Sequence, residues 1–385
     1  MRILLLSVDF PPARGGIQNL LANLADGLAG AHDVTVIAPR RRGAAAWDSD
    51  QRYTIVRAAG WTFWPVLMIA FWGSALLRAM RRPPDIIVCG HVLLGPVCYV
   101  LARLFGVPVV AFAYAYEIRA PRMQGLAGWT LRHSTMVVTI SEFTRRAVMA
   151  HGVPAHRVAV IHPAADSRPL LPAGAATQGG ENAERIILTV ARLGELYKGH
   201  DMAIRAMPLV LAREPTARYV IVGDGPLRAY LERLAVSLGI ARSVTFLGEL
   251  PAAALDAWYA RADVVTLLSR ESAIDGGAEG YGLTFVEAGA WGKPVVGGRS
   301  GGIPDAVVEG ITGLLVDPTD VGAIAEALLR VLSDEALARR LGEQGRNRAM
   351  NESSWPNFVA AFQSVVDTAL APPVLLGTVG SAGPR

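Results

Sequence analysis

Two glutamates, Glu279 and Glu287, stand eight residues apart around a glycine-interrupted loop. The loop, Gly280-Tyr281-Gly282, leads into the apolar run Leu283-Thr284-Phe285-Val286. Glycines let a backbone approach a ligand closely, and a helix beginning near Thr284 would direct its free N–H groups at an anion. Glu287 would then lie in the first helical turn and Glu279 in the loop before it. The pattern predicts that a carboxylate binds one part of a ligand while amides hold a phosphate. The alternative is a turn with two solvated acids.

A second candidate phosphate loop lies near the start of the chain. Residues 2–8 form a continuous apolar run, as expected of a parallel strand covered on both faces. Gly15 and Gly16 follow and precede apolar residues that share one helix face, which places them at a helix N-terminus. The fingerprint G-x-G-x-x-G is absent, which argues against a dinucleotide site. A glycine pair alone is more often only a turn.

Elements that could position these loops recur along the whole chain. At 385 residues the chain is long for one hydrophobic core, so two domains are expected. Short apolar runs alternate with helical patterns, which is typical of doubly wound parallel sheets. After residues 2–8, the runs in the first half are 34–37, 86–88, 107–113, 136–140 and 158–161. In the second half they are 185–191, 219–222, 244–247, 264–268, 295–297 and 314–316.

These runs predict two Rossmann-like domains, one over residues 1–166 and one over 185–350, joined by a Pro-, Gly- and Ala-rich linker at 167–184. Ligands of such folds bind at the carboxyl ends of the strands, here in the cleft between the domains. The final helix, 355–370, is expected to pack back on the first domain. The Pro/Gly-rich tail 371–385 is expected to be disordered.

Composition excludes several classes of protein. The net charge is +4, and no arginine–aromatic interleaving indicates a nucleic-acid site. The two cysteines, Cys89 and Cys98, lie in apolar surroundings, so we expect neither a disulfide framework nor a metal cluster but a reducing, cytoplasmic compartment. The N-terminus reads as a buried strand rather than a signal peptide, because Asp9 and two prolines follow its apolar run. Asp48-Ser49-Asp50 spells the metal–diphosphate motif D-x-D but lies in a polar loop, and we expect no metal there.

Residues 58–77 are uncharged and flanked by Arg57 and Arg78, long enough to span a bilayer. Pro65 and two glycines interrupt the segment, and a single span would separate the first strands from their sheet. We therefore expect a helix lying in the membrane interface, with anchors at Trp61, Phe63, Trp64, Phe71 and Trp72. Basic clusters that would favour an anionic surface are Arg40, Arg41, Arg42, Arg78, Arg81 and Arg82. The alternative is a helix buried against its own sheet.

Several motifs, taken in order, resemble one enzyme family over nearly the whole chain. They are DFPPARGGIQ, VARLGELYKGHD, VGDGPLRAYLERL, VTFLGEL and AEGYGLTFVEAGAWGKPVVGGRSGGIPDAVVEGITGLLVDP, followed by a tryptophan-led terminal helix. The chain resembles the family-4 retaining glycosyltransferases of GT-B fold. Its opening motif and the glycines near Glu279 are most similar to those of bacterial phosphatidylinositol-mannoside mannosyltransferases.

The resemblance implies a role for each matching residue. Glu279 would hold hydroxyls of the donor sugar and Glu287 the ribose, while Arg192 and Lys198 neutralise the diphosphate. Backbone amides near Gly15, Gly16, Gly280, Tyr281, Gly282 and Leu283 would assist. Two fixed cations suit this chemistry because a nucleoside diphosphate leaves as an anion. The spacing from Arg192 to Lys198 is one residue longer than the family pattern.

One position departs from the family, which usually has a histidine after the strand at 107–113. Tyr114 stands there, and a tyrosine cannot shuttle protons near neutral pH as imidazole does. Glu117 is the nearest ionisable substitute, so Tyr114 and Glu117 are candidates for the acceptor side. His91 and His162 are alternatives, though a structural role is expected of each.

The resemblance thus predicts a retaining, metal-independent hexosyltransferase that uses a nucleotide-diphosphate sugar, GDP-mannose or a UDP-sugar, as co-substrate and needs no cofactor. The acceptor would be a glycolipid or a soluble molecule, and the enzyme would be peripheral at the inner face of the plasma membrane. Tyr114 motivates a rival, a catalytically silent subunit that only binds sugar nucleotides. An inverting or epimerising enzyme on the same fold is a third possibility, which the paired glutamates disfavour.

Overall fold

The computed structural model describes residues 1–13, 15–59, 64–166 and 184–372, and their strands form two parallel sheets. The first sheet contains β1 (Arg2–Leu6), β2 (Asp33–Pro39), β3 (Thr54–Ala58), β4 (Ile86–Cys89), β5 (Val109–Ala113), β6 (Met136–Thr139) and β7 (Val158–Val160). The second contains β8 (Arg185–Val190), β9 (Ala217–Val222), β10 (Val244–Gly248), β11 (Val264–Leu267), β12 (Val295–Gly298) and β13 (Leu314–Val316).

Helices connect these strands and cover both sheets. Those of the first half are α1 (Gly16–Ala29), α2 (Ala44–Ser49), α3 (Trp64–Arg81), α4 (Gly95–Phe105), α5 (Tyr116–Arg119), α6 (Gln124–His133) and α7 (Glu142–Ala150). Those of the second half are α8 (His200–Arg213), α9 (Arg228–Ser237), α10 (Ala252–Arg261), α11 (Leu283–Ala290), α12 (Ile303–Ala306), α13 (Val321–Ser333), α14 (Glu335–Asn351) and α15 (Trp355–Leu370).

Both sheets follow the same doubly wound order, which confirms the predicted fold class. The first runs β3-β2-β1-β4-β5-β6-β7 and the second β10-β9-β8-β11-β12-β13. The order reverses between β1 and β4 and again between β8 and β11. Loops that leave neighbouring strands on opposite sides open a crevice at such a switch point, which is where ligands of doubly wound sheets bind. Residues after β8 and β11 should therefore meet.

The predicted strands are all present, and the structure adds β3. This edge strand was missed because its residues, Thr54–Ala58, are only partly covered and lack a continuous apolar run. Helix α11 begins at Leu283, next to the predicted start near Thr284. Glu287 is the fifth residue of this helix, so it lies in the second turn and not, as predicted, in the first.

The last helix, α15, returns to the first sheet. Phe362 is fully buried and its ring stacks on that of Phe112 at 5.5 Å between centroids. Close packing is also enforced at Gly27 of α1, where a Cβ would lie 2.5 Å from a methyl of Val359. The indole Nε1 of Trp355 donates to Asp166 at 2.8 Å. Loss of the Phe362 ring would cost about 3–5 kcal/mol of stability.

Helix α3 covers the first sheet with one face and is exposed on the other. Leu67, Phe71, Ala75 and Ala79, spaced four residues apart, are buried against the sheet. Phe71 is fully buried, so its predicted role as a membrane anchor was wrong. Among the described residues, no helix has both the length and the apolar character needed to cross a bilayer.

Some predictions fall outside the described residues. These are the anchors Trp61 and Phe63, with the side chain of Trp64, the linker up to residue 183, and the tail from residue 373.

Candidate active site

The loops after β8 and β11 bring together Lys198 and Glu279, which are 81 residues apart in sequence. The ammonium Nζ of Lys198 donates to Glu279 Oε2 at 2.7 Å, and each side chain is only 16% exposed. The pair lies at the switch point of the second sheet. Sequence reasoning assigned these residues to different parts of one ligand, and the structure places them in direct contact.

The surroundings of Lys198 keep its ammonium charged. Burial is the largest single influence and lowers the pKa of Lys198, but Glu279, Tyr197 and Glu195 together outweigh burial, so that pKa lies above its usual value. The ring of Tyr197 lies 5.3 Å from the same nitrogen and contributes a cation–π contact. Lys198 is therefore a permanent cation with limited access to water, where its interaction with an anion would be little screened.

The second glutamate of the loop, Glu287, is held from another element. Tyr259 of α10 donates its phenol O–H to Glu287 Oε2 at 2.7 Å. At the start of α11, the hydroxyl of Thr284 donates to the carbonyl of Val190, at 2.9 Å, and ties the helix to the end of β8. Glu279 thus lies in the glycine loop and Glu287 in the helix that follows it, and their carboxylates have different hydrogen-bond partners.

Arg192 differs from Lys198 because its side chain is 72% exposed and lies 3.9 Å from the carboxylate of Glu195. Its backbone is nevertheless fixed, since its carbonyl accepts from Nε2 of His200 at 3.2 Å. Burial lowers the pKa of His200 to about 4, so the imidazole is neutral and Nε2 carries its proton. The arrangement leaves a guanidinium on a supported loop, accessible to a ligand.

Two helix N-termini face each other across the cleft. Gly15 precedes α1 with φ +155°, and Gly282 precedes α11 with φ +103°, a conformation that favours glycine. A Cβ on Gly16 would lie 3.9 Å from the side chain of Leu283. The predicted glycine pair and the predicted glycine loop therefore meet, so that free amides and two positive dipole ends converge on one space.

The glycine loop also touches the first half of the chain. A Cβ on Gly280 would lie 2.9 Å from Cδ1 of Ile140, so the loop packs closely against the residue that follows β6. The ring of Tyr281 is buried and stacks on His162 at 5.2 Å, which leaves only the backbone of Tyr281 for a ligand. Arg119 of α5 adds a link, donating to the carboxylate of Glu271 at 2.7 Å.

The acceptor-side candidates Tyr114 and Glu117 are both buried at the end of β5. Both side chains are only 4% exposed. The Tyr114 hydroxyl donates to the carbonyl of Gly90 at 3.0 Å, and Glu117 Oε1 accepts from the backbone N–H of Tyr114 at 2.6 Å. The polar groups of both side chains therefore bond to the backbone and hold the loop after β5 in place.

Family models and a curated relative match this chain along most of its length. Residues 14–168 match the model described as Glycosyltransferase Family 4, and residues 176–348 match Glycosyl transferases group 1. A GDP-mannose-dependent alpha-(1-6)-phosphatidylinositol monomannoside mannosyltransferase of Mycolicibacterium smegmatis is 33% identical, over 92% of this chain and 95% of its own length. The chain belongs to the family-4 glycosyltransferases.

Solved structures share the fold at lower identity. An Anabaena protein, HepE, in complex with UDP and glucose has a TM-score of 0.79 at 19% identity, covering 96% of this chain and 100% of that one. Sucrose-phosphate synthase from Thermosynechococcus elongatus has a TM-score of 0.80 at 22% identity, covering 95% of this chain and 98% of that one.

A second sequence relative agrees with the first. This Mycobacterium tuberculosis protein has the same name as the M. smegmatis enzyme and is 34% identical over 93% of this chain and 96% of its own length. The chain is thus a GT-B hexosyltransferase that takes its sugar from a nucleotide sugar.

The switch point of the first sheet in this glycosyltransferase carries a different set of groups. Asp9 after β1 accepts from Gln18 Nε2 at 3.0 Å. His91 after β4 places Nε2 3.8 Å from the same carboxylate, and its Nδ1 accepts from the N–H of Leu93. Asp48 of the D-x-D motif forms an ion pair with the buried Arg57, while Asp50 is exposed. Asp48 therefore has a cation already in place.

Sequence reasoning missed Tyr259, His200 and the contacts between the halves. Tyr259 lies among the apolar residues of α10, and its spacing in the sequence does not indicate a role in the site. The run Ser300-Gly301-Gly302 did carry a signal, because paired glycines indicate close backbone approach. The N–H of Gly302 donates to the carbonyl of Glu279 at 2.9 Å and supports the glycine loop from behind.

Proposed function

We propose that this glycosyltransferase moves mannose from GDP-mannose to a hydroxyl of a phosphatidylinositol-type glycolipid, retains the anomeric configuration and needs no metal. The donor and acceptor rest on the names of relatives at 33–34% identity over most of the chain. The observation that carries the chemistry is the Lys198–Glu279 pair at the switch point of the second sheet. A soluble acceptor is the alternative that the assay below would reveal.

The proposed binding mode divides the donor among the site residues. Arg192 and Lys198 neutralise the diphosphate, Glu287 accepts from the ribose, and Glu279 accepts from hydroxyls of the hexose. Because Glu279 also contacts Lys198, one carboxylate links the sugar to the cation that stabilises the leaving group. Fixed charges in a site of limited solvent access stabilise the charge that develops on the departing phosphate.

The proposed reaction requires no strong protein base. The bond between the anomeric carbon and the β-phosphate oxygen breaks while the acceptor oxygen attacks from the same face. The acceptor proton passes to the leaving phosphate oxygen, so the nucleoside diphosphate departs with it. This route tolerates Tyr114, whose hydroxyl is bonded to Gly90 in place of the family histidine.

We propose metal independence because cationic side chains lie at the proposed diphosphate site. Two side chains, Arg192 and Lys198, supply the positive charge that a metal would otherwise bring to the diphosphate. Asp48, the first acid of the D-x-D motif, already has Arg57 as its partner. The proposal therefore assigns Asp48 and Asp50 no role in donor binding.

A transfer assay tests the proposed function. The protein is incubated with GDP-mannose and vesicles that contain phosphatidylinositol monomannoside, and products are analysed by mass spectrometry and by the anomeric couplings in NMR. The expected product gains one hexose in the α-configuration. A β-linkage would refute retention, and transfer only to soluble acceptors would replace the lipid. Binding of GDP-mannose without transfer or release of free mannose would support the silent-subunit rival.

We also propose that the enzyme docks on anionic membranes, as a cytoplasmic protein peripheral to the inner face of the plasma membrane. The outer face of α3 presents large apolar residues at helical spacing, and α4 beside it continues the surface. Their exposed fractions are 47% for Val66, 70% for Ile69, 48% for Leu77, 59% for Met80 and 61% for Leu104. An apolar strip of this kind can enter the headgroup boundary.

The charges around this strip are fewer than the sequence suggests. Arg78 donates to the hydroxyl of Thr35 at 2.7 Å, and Arg82 pairs with Asp33 at 3.2 Å. Arg81 and Arg103, on α3 and α4, are exposed. Each basic residue near an anionic surface would add about 1 kcal/mol, which salt screens. Docking should therefore rest mainly on apolar contact.

Vesicle sedimentation tests the docking. Ile69→Glu combined with Met80→Glu should abolish pelleting with anionic vesicles, because both charges would enter the apolar boundary. Val236→Glu is a matched control, since Val236 is 66% exposed on α9 of the other half. Pelleting of wild type with neither kind of vesicle, or unchanged pelleting of the double variant, would remove the membrane proposal. Equal pelleting of wild type with neutral and anionic vesicles would remove its preference for anionic lipid.

A further inference from the structure

Tyr259 is a buried polar residue that none of the roles above includes. It lies on α10, is 2% exposed, and donates its phenol to Glu287 Oε2 at 2.7 Å. The distance is that of a well-formed hydrogen bond between two oxygens. A phenol and a carboxylate from two elements are thus joined inside the domain that carries the donor site.

The bond has a fixed direction. Burial, reinforced by the carboxylate of Glu287, raises the pKa of Tyr259 well above its usual value, so the phenol keeps its proton. A carboxylate can only accept, and Tyr259 is therefore always the donor. Its ring is packed in the core and α10 contacts the second sheet, so the hydroxyl is a rigid reference point for a flexible glutamate.

We propose that Tyr259 is a positioning residue that orients the Glu287 carboxylate for the ribose hydroxyls of the donor nucleotide. This inference rests on the proposed function, in which Glu287 accepts from the ribose. A free glutamate samples several rotamers, and a ligand that immobilises it forgoes part of the binding free energy. The phenol fixes the side chain before the nucleotide arrives, so that cost is removed in advance.

The proposal predicts which kinetic constant changes. The ribose is remote from the anomeric carbon, so its contacts are equal in the ground state and the transition state. Loss of such uniform binding raises KM and leaves kcat unchanged. Tyr259→Phe should therefore raise the donor KM about 3- to 10-fold, the equivalent of one newly mobile side chain, with kcat within about twofold of wild type.

Calorimetric titration with nucleotides separates positioning from a general structural effect. Wild type and Tyr259→Phe are titrated with GDP and with its 2′-deoxy and 3′-deoxy analogues. In wild type, removal of the hydroxyl that faces Glu287 should weaken binding about 10-fold or more, as expected for a hydrogen bond to a charged group. In Tyr259→Phe this discrimination should shrink, because the carboxylate has lost the phenol that helps to orient it. The four affinities form a double-mutant cycle, with one change in the protein and one in the ligand. The cycle gives the coupling free energy between Tyr259 and the ribose hydroxyl.

Tyr219→Phe is the matched control. Tyr219 is fully buried in β9, and its hydroxyl bonds to Thr189 at 3.0 Å rather than to a site carboxylate. Its loss removes the same buried phenol oxygen from the same domain and should leave both GDP affinity and deoxy discrimination unchanged. Equal effects of the two substitutions would show that Tyr259 acts only through stability, and would overturn the proposal.

A second substitution keeps the test valid if Tyr259→Phe folds poorly. Incorporation of 3-fluorotyrosine at position 259 preserves the ring and makes the O–H a stronger donor, so deoxy discrimination should equal or exceed that of wild type. A fall would overturn the proposal. Wild type that binds UDP or ADP instead of GDP would correct only the donor base, and the same titrations then apply. Wild type that binds none of the three would overturn the proposed function itself.

Discussion

The two sheets share one strand order, yet their switch points carry different chemistry. At the second, a cation and a carboxylate are paired at 2.7 Å and an arginine stands exposed beside them. At the first, Asp9, Gln18 and His91 form a smaller polar group, and Tyr114 is bonded to the backbone. The fold provides two equivalent crevices, and the loops decide what each can bind. An anionic diphosphate requires fixed cations, whereas a neutral hydroxyl requires only hydrogen-bonding groups.

Of the substitutions that test this contrast, Arg192→Ala is expected to have the largest effect. Arg192→Ala should lower turnover about 10²–10³-fold, since one electrostatic partner of the developing charge is lost. The fold should be unchanged, because the side chain is 72% exposed. Steady-state kinetics with circular dichroism checks both. Arg213→Ala, at an exposed ion pair with Glu326 in the same half, is the control and should be neutral. Full activity of Arg192→Ala would refute the assignment.

Glu279→Gln should give the next largest effect. The substitution keeps the shape but removes the negative charge beside Lys198, which then lacks its partner in a poorly solvated position. We expect donor turnover to fall about 10²-fold, on the scale of a lost transition-state contact. The measurement is kcat with saturating donor. Glu326→Gln on the surface of α13 serves as control, and an equal response of the two variants would contradict the account.

Tyr114→Phe sharpens the comparison from the other crevice. It leaves the carbonyl of Gly90 without the Tyr114 hydroxyl, at a cost of about 1–3 kcal/mol in unfolding free energy. Activity should stay within about threefold of wild type, because that hydroxyl does not face a substrate. Chemical denaturation and kinetics together check the prediction. A stable protein with turnover reduced a hundredfold would restore Tyr114 to the catalytic machinery.

The smallest effect is expected from metal removal. With Arg192 and Lys198 as the cations for the diphosphate, EDTA should leave the transfer rate unchanged. Restoration of a lost rate by manganese would contradict this and would direct attention to Asp50 and to the Asp48–Arg57 pair.

The fold was predictable because parallel strands buried on both faces are continuous apolar runs. This holds for β1 and β5 and fails at β3, whose edge position leaves its residues partly exposed. Glycines were informative for a similar reason, since Gly280 packs closely against Ile140 and Gly282 has a positive φ. Local pattern therefore located both the sheets and the loops at their edges.

The partners of the site residues were not predictable. Lys198 and Glu279 were each identified, but their contact depends on β8 and β11 being neighbours, which only the sheet order establishes. Tyr259 meets Glu287 from a separate helix, without any spacing that signals it. The bond of the Tyr114 hydroxyl to the carbonyl of Gly90 was not predictable for the same reason, because the direction of a side chain at a loop depends on which backbone groups surround it.

Calorimetric titration of GDP into wild type and Lys198→Ala tests most directly that the second switch point is the donor site. Wild type should bind GDP, and Lys198→Ala should bind it at least about tenfold more weakly, the loss expected for a charge-assisted contact with the diphosphate. Thermal unfolding without nucleotide verifies that the variant is folded. Equal GDP affinity of the two folded proteins would contradict the account, since the buried cation at the Lys198–Glu279 pair would then play no part in holding the donor.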